Sequence, residues 1–371
     1  MEQYPFGSGR PDPASFPNRE LAEAAMRILP EMGSELAQYP GSLGYAPLRK
    51  LMADRLKKRE GVAPAVEHIA LTTGSMQAVT LMAQTFIEQP GDGVVMEEFS
   101  YSGTIGAYKK EGAELVGIPV DEDGMRMDAL SDELKKRADA NKLPKFIYVL
   151  ATFQNPTGTI MPLTRRKELL KIAGQYNIPV VEDHCYADTV YEECQVPALY
   201  TLDSDVPVVH IESLSKILGP GVRLGFFFTS QPLLGKILSF RRDGGTSTLA
   251  AAIVYEYFRE NMWTHVDQIN HIVKKKRDAM LDELARFPDA FEWFSRPKGG
   301  LFIWVKLPDA TDTVRCEQIA ETRGIDYATG KAFHVHNADV PYLRLAFGFA
   351  TVDQIREGIP KLAECVRETQ R

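Results

Sequence analysis

The sequence has few cysteines and no long apolar run. Only four of its 371 residues are cysteine, and no two of them form a C-x-x-C pair, so neither a metal site nor a disulfide framework is expected. The longest apolar runs, such as 224–228, are far shorter than the roughly 20 residues that cross a bilayer. No segment repeats at a period of roughly 20–50 residues, which excludes solenoids and propellers.

An excess of positive charge is also absent. Lysine and arginine together number 43 against 50 acidic residues, giving a formal net charge of −7, whereas nucleic-acid-binding domains are typically basic. The first residues, MEQYPFGSGRP, lack the charged and then apolar segments of a secretory signal. We therefore expect a cytoplasmic protein with no nucleic-acid or membrane partner.

Short apolar runs alternate with longer amphipathic stretches through the first two thirds of the chain. The runs predict seven strands, at 68–72, 93–97, 115–119, 146–150, 179–182, 206–211 and 225–229. Apolar residues at helical spacing mark 75–88 and 163–176 as helices between them. This alternation predicts an α/β fold with a mostly parallel, seven-stranded sheet sandwiched by helices.

The pattern changes near residue 260. Residues 266–286 predict one long polar helix, and strands at 301–305 and 342–347 and a helix near 352–367 follow it. This order is typical of a smaller α+β domain.

The length of 371 residues fits two domains at about 150 residues each. We predict a large domain over residues 33–265 and a small C-terminal domain over 266–371. Residues 1–32 form an N-terminal segment that contributes to the small domain and covers the active site.

In such a sheet, ligands bind at the carboxyl ends of the strands. The turn Gly74-Ser75 follows the first predicted strand and opens a helix, whose backbone N–H groups suit a phosphate. An ordinary serine cap explains the same residues equally well. Asn155 follows the fourth predicted strand in the turn Asn155–Gly158.

Two charged residues follow the next strands. Asp183 comes directly after 179–182, and a carboxylate is costly to bury unless it meets a cation; the alternative is a cap of the next helix. Lys216 lies between an apolar strand and the turn Gly219–Gly221. That position suits a desolvated, nucleophilic amine, with a surface loop lysine as the alternative.

A phosphate cradle, an amide, a carboxylate and a lysine thus follow one another along the chain. With these residues in this order, the chain resembles fold-type I, pyridoxal-phosphate (PLP) enzymes of the class I/II aminotransferase family, in particular the branch of 2-aminoadipate and broad-range aminotransferases. The matching segments are FGSGRP at 6–11, 41–49, FSYSG at 99–103, FQNPTG at 153–158, EDHCY at 182–186, SLSK at 213–216, RPKGGLFIW at 296–304 and YLRLAF at 342–347. Independent motifs that agree in order and spacing are a specific signal.

The resemblance implies roles for the residues around the cofactor ring. Lys216 would hold PLP as a Schiff base and move the proton of the substrate Cα, through a carbanion. Asp183 would pair with the pyridine nitrogen and keep the ring an electron sink. Asn155 and Tyr186 would donate to the phenolate oxygen. Tyr101 would stack on the ring, although without the family a core aromatic is the simpler interpretation.

The resemblance also implies a phosphate cradle. Gly74, Ser75, Ser213 and Arg223 match its residues, with Arg223 supplying the fixed charge. Met76, next to them, would offer only its backbone N–H.

Other matching positions concern the partner subunit and the substrate. Tyr39 matches a tyrosine that reaches the phosphate of the neighbouring subunit, which implies a homodimer with shared sites; a buried loop tyrosine in a monomer is the alternative. Arg344 would grip the substrate α-carboxylate, unless it points outward from its strand. Gly9, Arg10 and Asn155 would also border the substrate, and Arg10 could instead be solvated.

The implied activity is transfer of an amino group from an L-amino acid to a 2-oxo acid. Differences from the branch at Arg10, Cys185 and Lys331 leave open β/γ-replacement, cyclisation or carbon–carbon bond formation in a specialised pathway. The roles of His334 and His336 stay open too. A PLP sensor of the MocR type is a third alternative, which the acidic charge and the lack of a preceding basic helix-turn-helix disfavour.

Overall fold

The computed structural model describes residues 2–370. Its strands are β1 (Tyr4–Pro5), β2 (Ile69–Thr72), β3 (Gly93–Glu97), β4 (Glu114–Ile118), β5 (Val120–Asp121), β6 (Gly124–Met125), β7 (Phe146–Val149), β8 (Val180–Asp183), β9 (Val208–Ser213), β10 (Gly225–Phe228), β11 (Trp293–Phe294), β12 (Phe302–Lys306), β13 (Ile325–Asp326), β14 (Ala328–Thr329) and β15 (Tyr342–Ala346). Its helices are α1 (Asn18–Ile28), α2 (Ala46–Glu60), α3 (Ser75–Phe86), α4 (Ser102–Lys110), α5 (Met127–Asp139), α6 (Leu163–Gln175), α7 (Gln231–Leu238), α8 (Thr248–Ala285), α9 (Thr313–Thr322) and α10 (Val352–Arg367).

A seven-stranded sheet forms the centre of the fold, in the order β2-β10-β9-β8-β7-β3-β4. All strands except β10 run in the same direction, because β10 is antiparallel to both of its neighbours. These are the seven strands that the sequence predicts, with bounds shifted by one or two residues. The mostly parallel sheet is thereby confirmed.

A second sheet of four strands, in the order β11-β12-β15-β14, follows the long helix α8. The predicted helix over 266–286 is correct in type but begins too late, since α8 starts at Thr248. Its first turns carry small and apolar residues that pack into a core, so they lack the polar pattern of the later turns. The helix crosses residue 265 without a break, and the division into domains stays a prediction.

Alternate residues of the central strands pack on opposite faces of the sheet. Ile69 and Leu71 of β2 pack with α2 and the first half of α8, whereas Ala70 packs with α3. Helices therefore cover both faces, and the carboxyl ends of the parallel strands are left open to a ligand. Within residues 2–370, none of the helices is long and apolar enough to cross a membrane.

Gly225 allows the turn before α3 to lie against the sheet. A Cβ atom at this position would lie 2.7 Å from the Glu212 carbonyl oxygen and 2.9 Å from the Ser75 nitrogen. Both contacts are with backbone atoms, which cannot rotate away as a side chain would. The close approach of Ser75 to β10 thus requires glycine.

We predict that Gly225→Ala lowers the free energy of unfolding by about 1–3 kcal/mol, as overpacking typically does. Gly106 in α4 is the matched control, because a Cβ there would meet no described atom within 4 Å. Gly106→Ala should stabilise by about 0.5–1 kcal/mol through helix propensity. Urea unfolding of both variants measures the difference, and equal effects would contradict the packing argument.

Candidate active site

The predicted cofactor residues surround one cavity of about 170 Å³ at the carboxyl ends of β2, β7, β8 and β9. Its lining residues are Ser75, Met76, Tyr101, Leu150, Asn155, Asp183, Cys185, Tyr186, Ser213, Ser215, Lys216, Pro220 and Arg223. The sheet therefore brings together groups that are far apart along the chain.

Lys216 is partly exposed to this cavity and carries a perturbed amine. The pKa of the Lys216 amine is lowered to about 8, chiefly by burial and in part by the nearby charge of Arg344, while Asp183 acts in the opposite direction. Its Nζ donates a hydrogen bond to the Gly9 carbonyl oxygen at 2.8 Å. An amine with this pKa is neutral in a useful fraction near pH 8 and can act as a nucleophile or a base.

Asp183 is the buried carboxylate of the site. Its Oδ2 accepts a hydrogen bond from the Tyr148 hydroxyl at 2.7 Å, and its Oδ1 accepts from the Cys185 backbone nitrogen at 3.3 Å. Burial raises the pKa of Asp183, and these hydrogen bonds act in the opposite direction. The motif analysis identified Asp183 but not Tyr148, which lies in a strand of apolar appearance.

Arg344 connects the small sheet to the cavity. Its Nη1 donates to Asn155 Oδ1 at 3.0 Å, and its Nη2 donates to the Gly7 carbonyl oxygen. Asn155 Nδ2 lies 3.4 Å from the Tyr186 hydroxyl. Burial lowers the pKa of Arg344 to about 10. Its Nε is buried and has no hydrogen-bond partner in the part of the chain that the structure describes.

Two aromatic rings hold the Arg344 guanidinium between them. Its Cζ lies 4.3 Å from the centre of the Phe302 ring and 4.7 Å from that of Phe333. The sequence analysis did not identify either ring, although Phe302 lies in the quoted RPKGGLFIW segment. A stacked guanidinium stays planar and oriented, which favours bidentate recognition of a carboxylate.

The turn after β2 forms a cradle for an anion. Gly74 has a φ of 74°, and a Cβ on it would lie 2.9 Å from Arg223 Nη2. Arg223 itself has a φ of 52°, and its Nη2 donates to the Thr73 carbonyl oxygen at 2.9 Å. The N-terminus of α3 adds free backbone N–H groups beside this guanidinium.

Five sequence-predicted residues are not among those that line the cavity: Gly9, Arg10, Tyr39, Gly74 and Arg344. Gly74 and Arg344 adjoin it through Arg223 and Asn155. Tyr39 has 89% of its surface exposed and lies beside Gly244. Arg10 is exposed too, and its guanidinium stacks 3.9 Å from the centre of the Phe349 ring. Gly9, next to it, does reach the site through its contact with Lys216.

A buried ionic network lies beneath the cavity, and the sequence analysis missed it. Arg55 and Arg59 of α2 bind Asp188 and Glu212.

His210 lies between two carboxylates, with Nδ1 2.7 Å from Glu182 and Nε2 2.9 Å from Glu212. Burial opposes its charge, but these carboxylates raise the pKa of His210 to about 9. His184, His210 and Glu212 have the spacing of metal ligands, but Arg55 and Arg59 already bind Glu212, and Arg59 Nη2 lies 3.2 Å from His184 Nδ1.

A larger groove of about 760 Å³ lies elsewhere, bordered by Phe99, Trp304 and Tyr342. It contains neither Lys216 nor Asp183. The smaller cavity combines the amine of Lys216 with the buried carboxylate of Asp183, and both have shifted pKa values. Such a combination is typical of catalytic sites, so the smaller cavity is the candidate active site.

Comparisons with known proteins show which family the chain resembles. The family described as aminotransferase class I and II matches residues 2–362. An aromatic-amino-acid aminotransferase of Thermococcus litoralis is 34% identical over 370 residues, which cover 99% of this chain and 88% of that protein. A 2-aminoadipate transaminase of Thermus thermophilus is 33% identical, with 98% of this chain and 89% of that protein covered.

The solved structures include a close match of the whole fold. An alpha-aminoadipate aminotransferase from Thermus thermophilus, complexed with N-(5'-phosphopyridoxyl)-L-leucine, superposes with a TM-score of 0.91. It is 32% identical, and the match covers 99% of this chain and 92% of that one. The similarity therefore extends over both the seven-stranded and the four-stranded sheet.

We predict that removing the Lys216 amine stabilises the cofactor-free protein below pH 8. The pKa falls from 10.5 to about 8 on folding, so the unfolded chain binds more protons between these values and stability rises with pH there. Lys216→Met should raise the free energy of unfolding by about 2 kcal/mol at pH 7, allowing for partial exposure. This gain should vanish by pH 10.5.

Thermal unfolding across pH 6–10.5 measures the effect of this substitution. The control is Lys171→Met, because Lys171 is exposed on α6. A gain for Lys216→Met that did not depend on pH would assign the effect to packing instead of charge.

Proposed function

The chain belongs to the class I and II aminotransferase family, and on this premise we propose which of its residues carry out the reaction. It is a PLP-dependent aminotransferase, which transfers an amino group from an amino acid to a 2-oxo acid. The observation that supports the assignment of roles is the arrangement of Lys216, Asp183 and the Gly74–Arg223 cradle around one cavity.

The residues of the cavity fit PLP in their chemistry. The Gly74–Arg223 cradle and the hydroxyls of Ser75 and Ser213 suit the phosphate. Asp183 offers a buried carboxylate to the pyridine nitrogen. Asn155 and Tyr186 suit the phenolate oxygen, and the aromatic ring of Tyr101 would stack on the pyridine. Met76 would contribute its backbone.

When bound, PLP supplies a covalent attachment for the amino group and an electron sink for the Cα carbanion. Lys216 Nζ, whose pKa burial lowers to about 8, would hold the cofactor and would then take the Cα proton of the substrate as a general base. Arg344 binds the α-carboxylate with the help of Asn155.

We propose aromatic L-amino acids as amino donors. The Tyr186 ring lines the cavity and is backed by Phe302, with 5.3 Å between the ring centres, so it offers an aromatic substrate a surface to pack against. A relative that acts on aromatic amino acids supports this choice. An acidic donor such as 2-aminoadipate is the second candidate, because the exposed guanidinium of Arg10 adjoins Gly9, whose carbonyl oxygen contacts Lys216.

The first experiment is a spectroscopic titration of the purified enzyme with single L-amino acids. We expect a donor to bleach the visible cofactor band and a 2-oxo acid to restore it. Lys216→Ala should lose the covalent cofactor, as borohydride reduction and mass measurement would show, and its turnover should fall at least about a thousandfold. Lys171→Ala is the control. Turnover without a 2-oxo acid would indicate replacement or bond-forming chemistry instead.

We further propose that the enzyme is a homodimer that shares residues between its two active sites. Exposed apolar side chains support this: Leu36, Tyr39, Phe240 and Leu249 lie on segments around the start of α8. Next to Tyr39, Asp243 accepts a hydrogen bond from Gln77 of α3, so this surface adjoins the phosphate cradle. In a two-fold dimer the Tyr39 hydroxyl would reach the partner's cradle.

We expect sedimentation to give twice the chain mass of 41.4 kDa. Tyr39→Phe should weaken PLP binding by about tenfold, because it removes a hydrogen bond to a charged group. Mixed with Lys216→Ala subunits, it should regain tight binding at one site of each mixed dimer. A monomer, or mixing without recovery, would contradict shared sites.

The location in the cell is also a proposal. All four cysteines are free thiols, and three of them, Cys185, Cys316 and Cys365, are buried. Free thiols are the rule in the reducing cytoplasm, which supports a cytoplasmic enzyme.

A further inference from the structure

We propose that Tyr148 is a positioning residue, which orients the Asp183 carboxylate toward the cofactor ring, and that Thr104 supports it from behind. The inference rests on the role proposed above for Asp183. It concerns a side chain outside the cavity lining, in the middle of β7.

The three side chains form one hydrogen-bonded chain. The Tyr148 hydroxyl lies 2.7 Å from Asp183 Oδ2 and 3.1 Å from Thr104 Oγ1. All three groups are buried. The register of β7 and β8 pairs Tyr148 with Val181, two residues before Asp183, so backbone pairing fixes the distance.

The chemistry of the three groups decides which of them donates in each hydrogen bond. Burial raises the pKa of Tyr148 well above its ordinary value, so the hydroxyl keeps its proton. A carboxylate can only accept, and therefore Tyr148 donates to Asp183. The Thr104 hydroxyl must then donate to the Tyr148 oxygen. This polarises the Tyr148 O–H group and strengthens its hydrogen bond to Asp183.

Two hydrogen bonds hold the Asp183 carboxylate in one orientation. Tyr148 occupies Oδ2 on one side and the Cys185 nitrogen lies 3.3 Å from Oδ1. Because Asp183 also lines the cavity, the remaining lone pairs are available to a ring nitrogen placed there. Without the Tyr148 hydroxyl, the carboxylate would be free to rotate and would bind that nitrogen less well.

The neighbouring Tyr108 is a tyrosine that contributes to the same cluster through ring packing alone. Its ring meets the Tyr148 ring edge-on, with 5.6 Å between the ring centres. It is equally buried, but its hydroxyl has no hydrogen-bond partner among residues 2–370. The same aromatic cluster thus contains one tyrosine whose hydroxyl is used and one whose hydroxyl is not, which makes Tyr108→Phe a matched control.

The test compares two ligands of the cofactor-free, full-length protein: PLP, and the analogue in which carbon replaces the ring nitrogen. Protein fluorescence measures both dissociation constants. The unaltered protein should prefer PLP over the analogue. Tyr148→Phe should reduce this preference by about tenfold, as expected for the loss of a hydrogen bond to a charged group, with binding of the analogue unchanged. Tyr108→Phe should change neither constant.

Thr104→Val should also reduce the preference for PLP over the analogue, but by less than Tyr148→Phe does. If Tyr148→Phe weakens PLP and the analogue equally, its role is structural and the proposal is wrong. Unchanged binding of both ligands would overturn the proposal as well. If the unaltered protein itself does not distinguish the two ligands, the proposed role of Asp183 has failed, and the proposal for Tyr148 fails with it.

Discussion

The ion pairs between α2 and β9 support the rest of the active site. Arg55 and Arg59 reach under the sheet to Asp188 and Glu212, all of them largely buried. Removing one partner of such a buried set leaves an uncompensated charge, at a cost of about 3–5 kcal/mol. Glu212 immediately precedes Ser213 on β9, so these pairs fix the strand end from which the Lys216 loop departs.

Asp183, Lys216 and Arg344 lie above this network, and their charges are poorly compensated by neighbouring groups. Glu182 and Glu212 below have their charges matched by His210 and arginines, whereas burial raises the pKa of Asp183 and lowers those of Lys216 and Arg344. Such destabilised ionic groups persist where a ligand completes them. The protein thus separates two layers: paired charges that secure the sheet, and unpaired charges that await cofactor and substrate.

The sequence predicted the sheet well because its signals are local. Each of the seven strands is a short apolar run bounded by turn residues, and the polar residues that end β8 and β9 follow directly from those runs. The extent of α8 was not predictable in the same way, because its first turns are mostly small and apolar and pack into a core. A buried helix and a buried strand differ little in local pattern.

The supporting residues were not predictable, because their function depends on pairing across the fold. Tyr148 lies in the run FIYV, where a tyrosine indicates only a core aromatic, and Tyr108 nearby is such a case. What distinguishes the two is the register of β7 against β8, which no local pattern contains. Arg55 and Arg59 likewise appear as ordinary charged residues of an exposed helix until the tertiary structure places Asp188 and Glu212 beside them. Motifs therefore identified the groups proposed to contact the cofactor, and only the tertiary structure identified those that hold them in place.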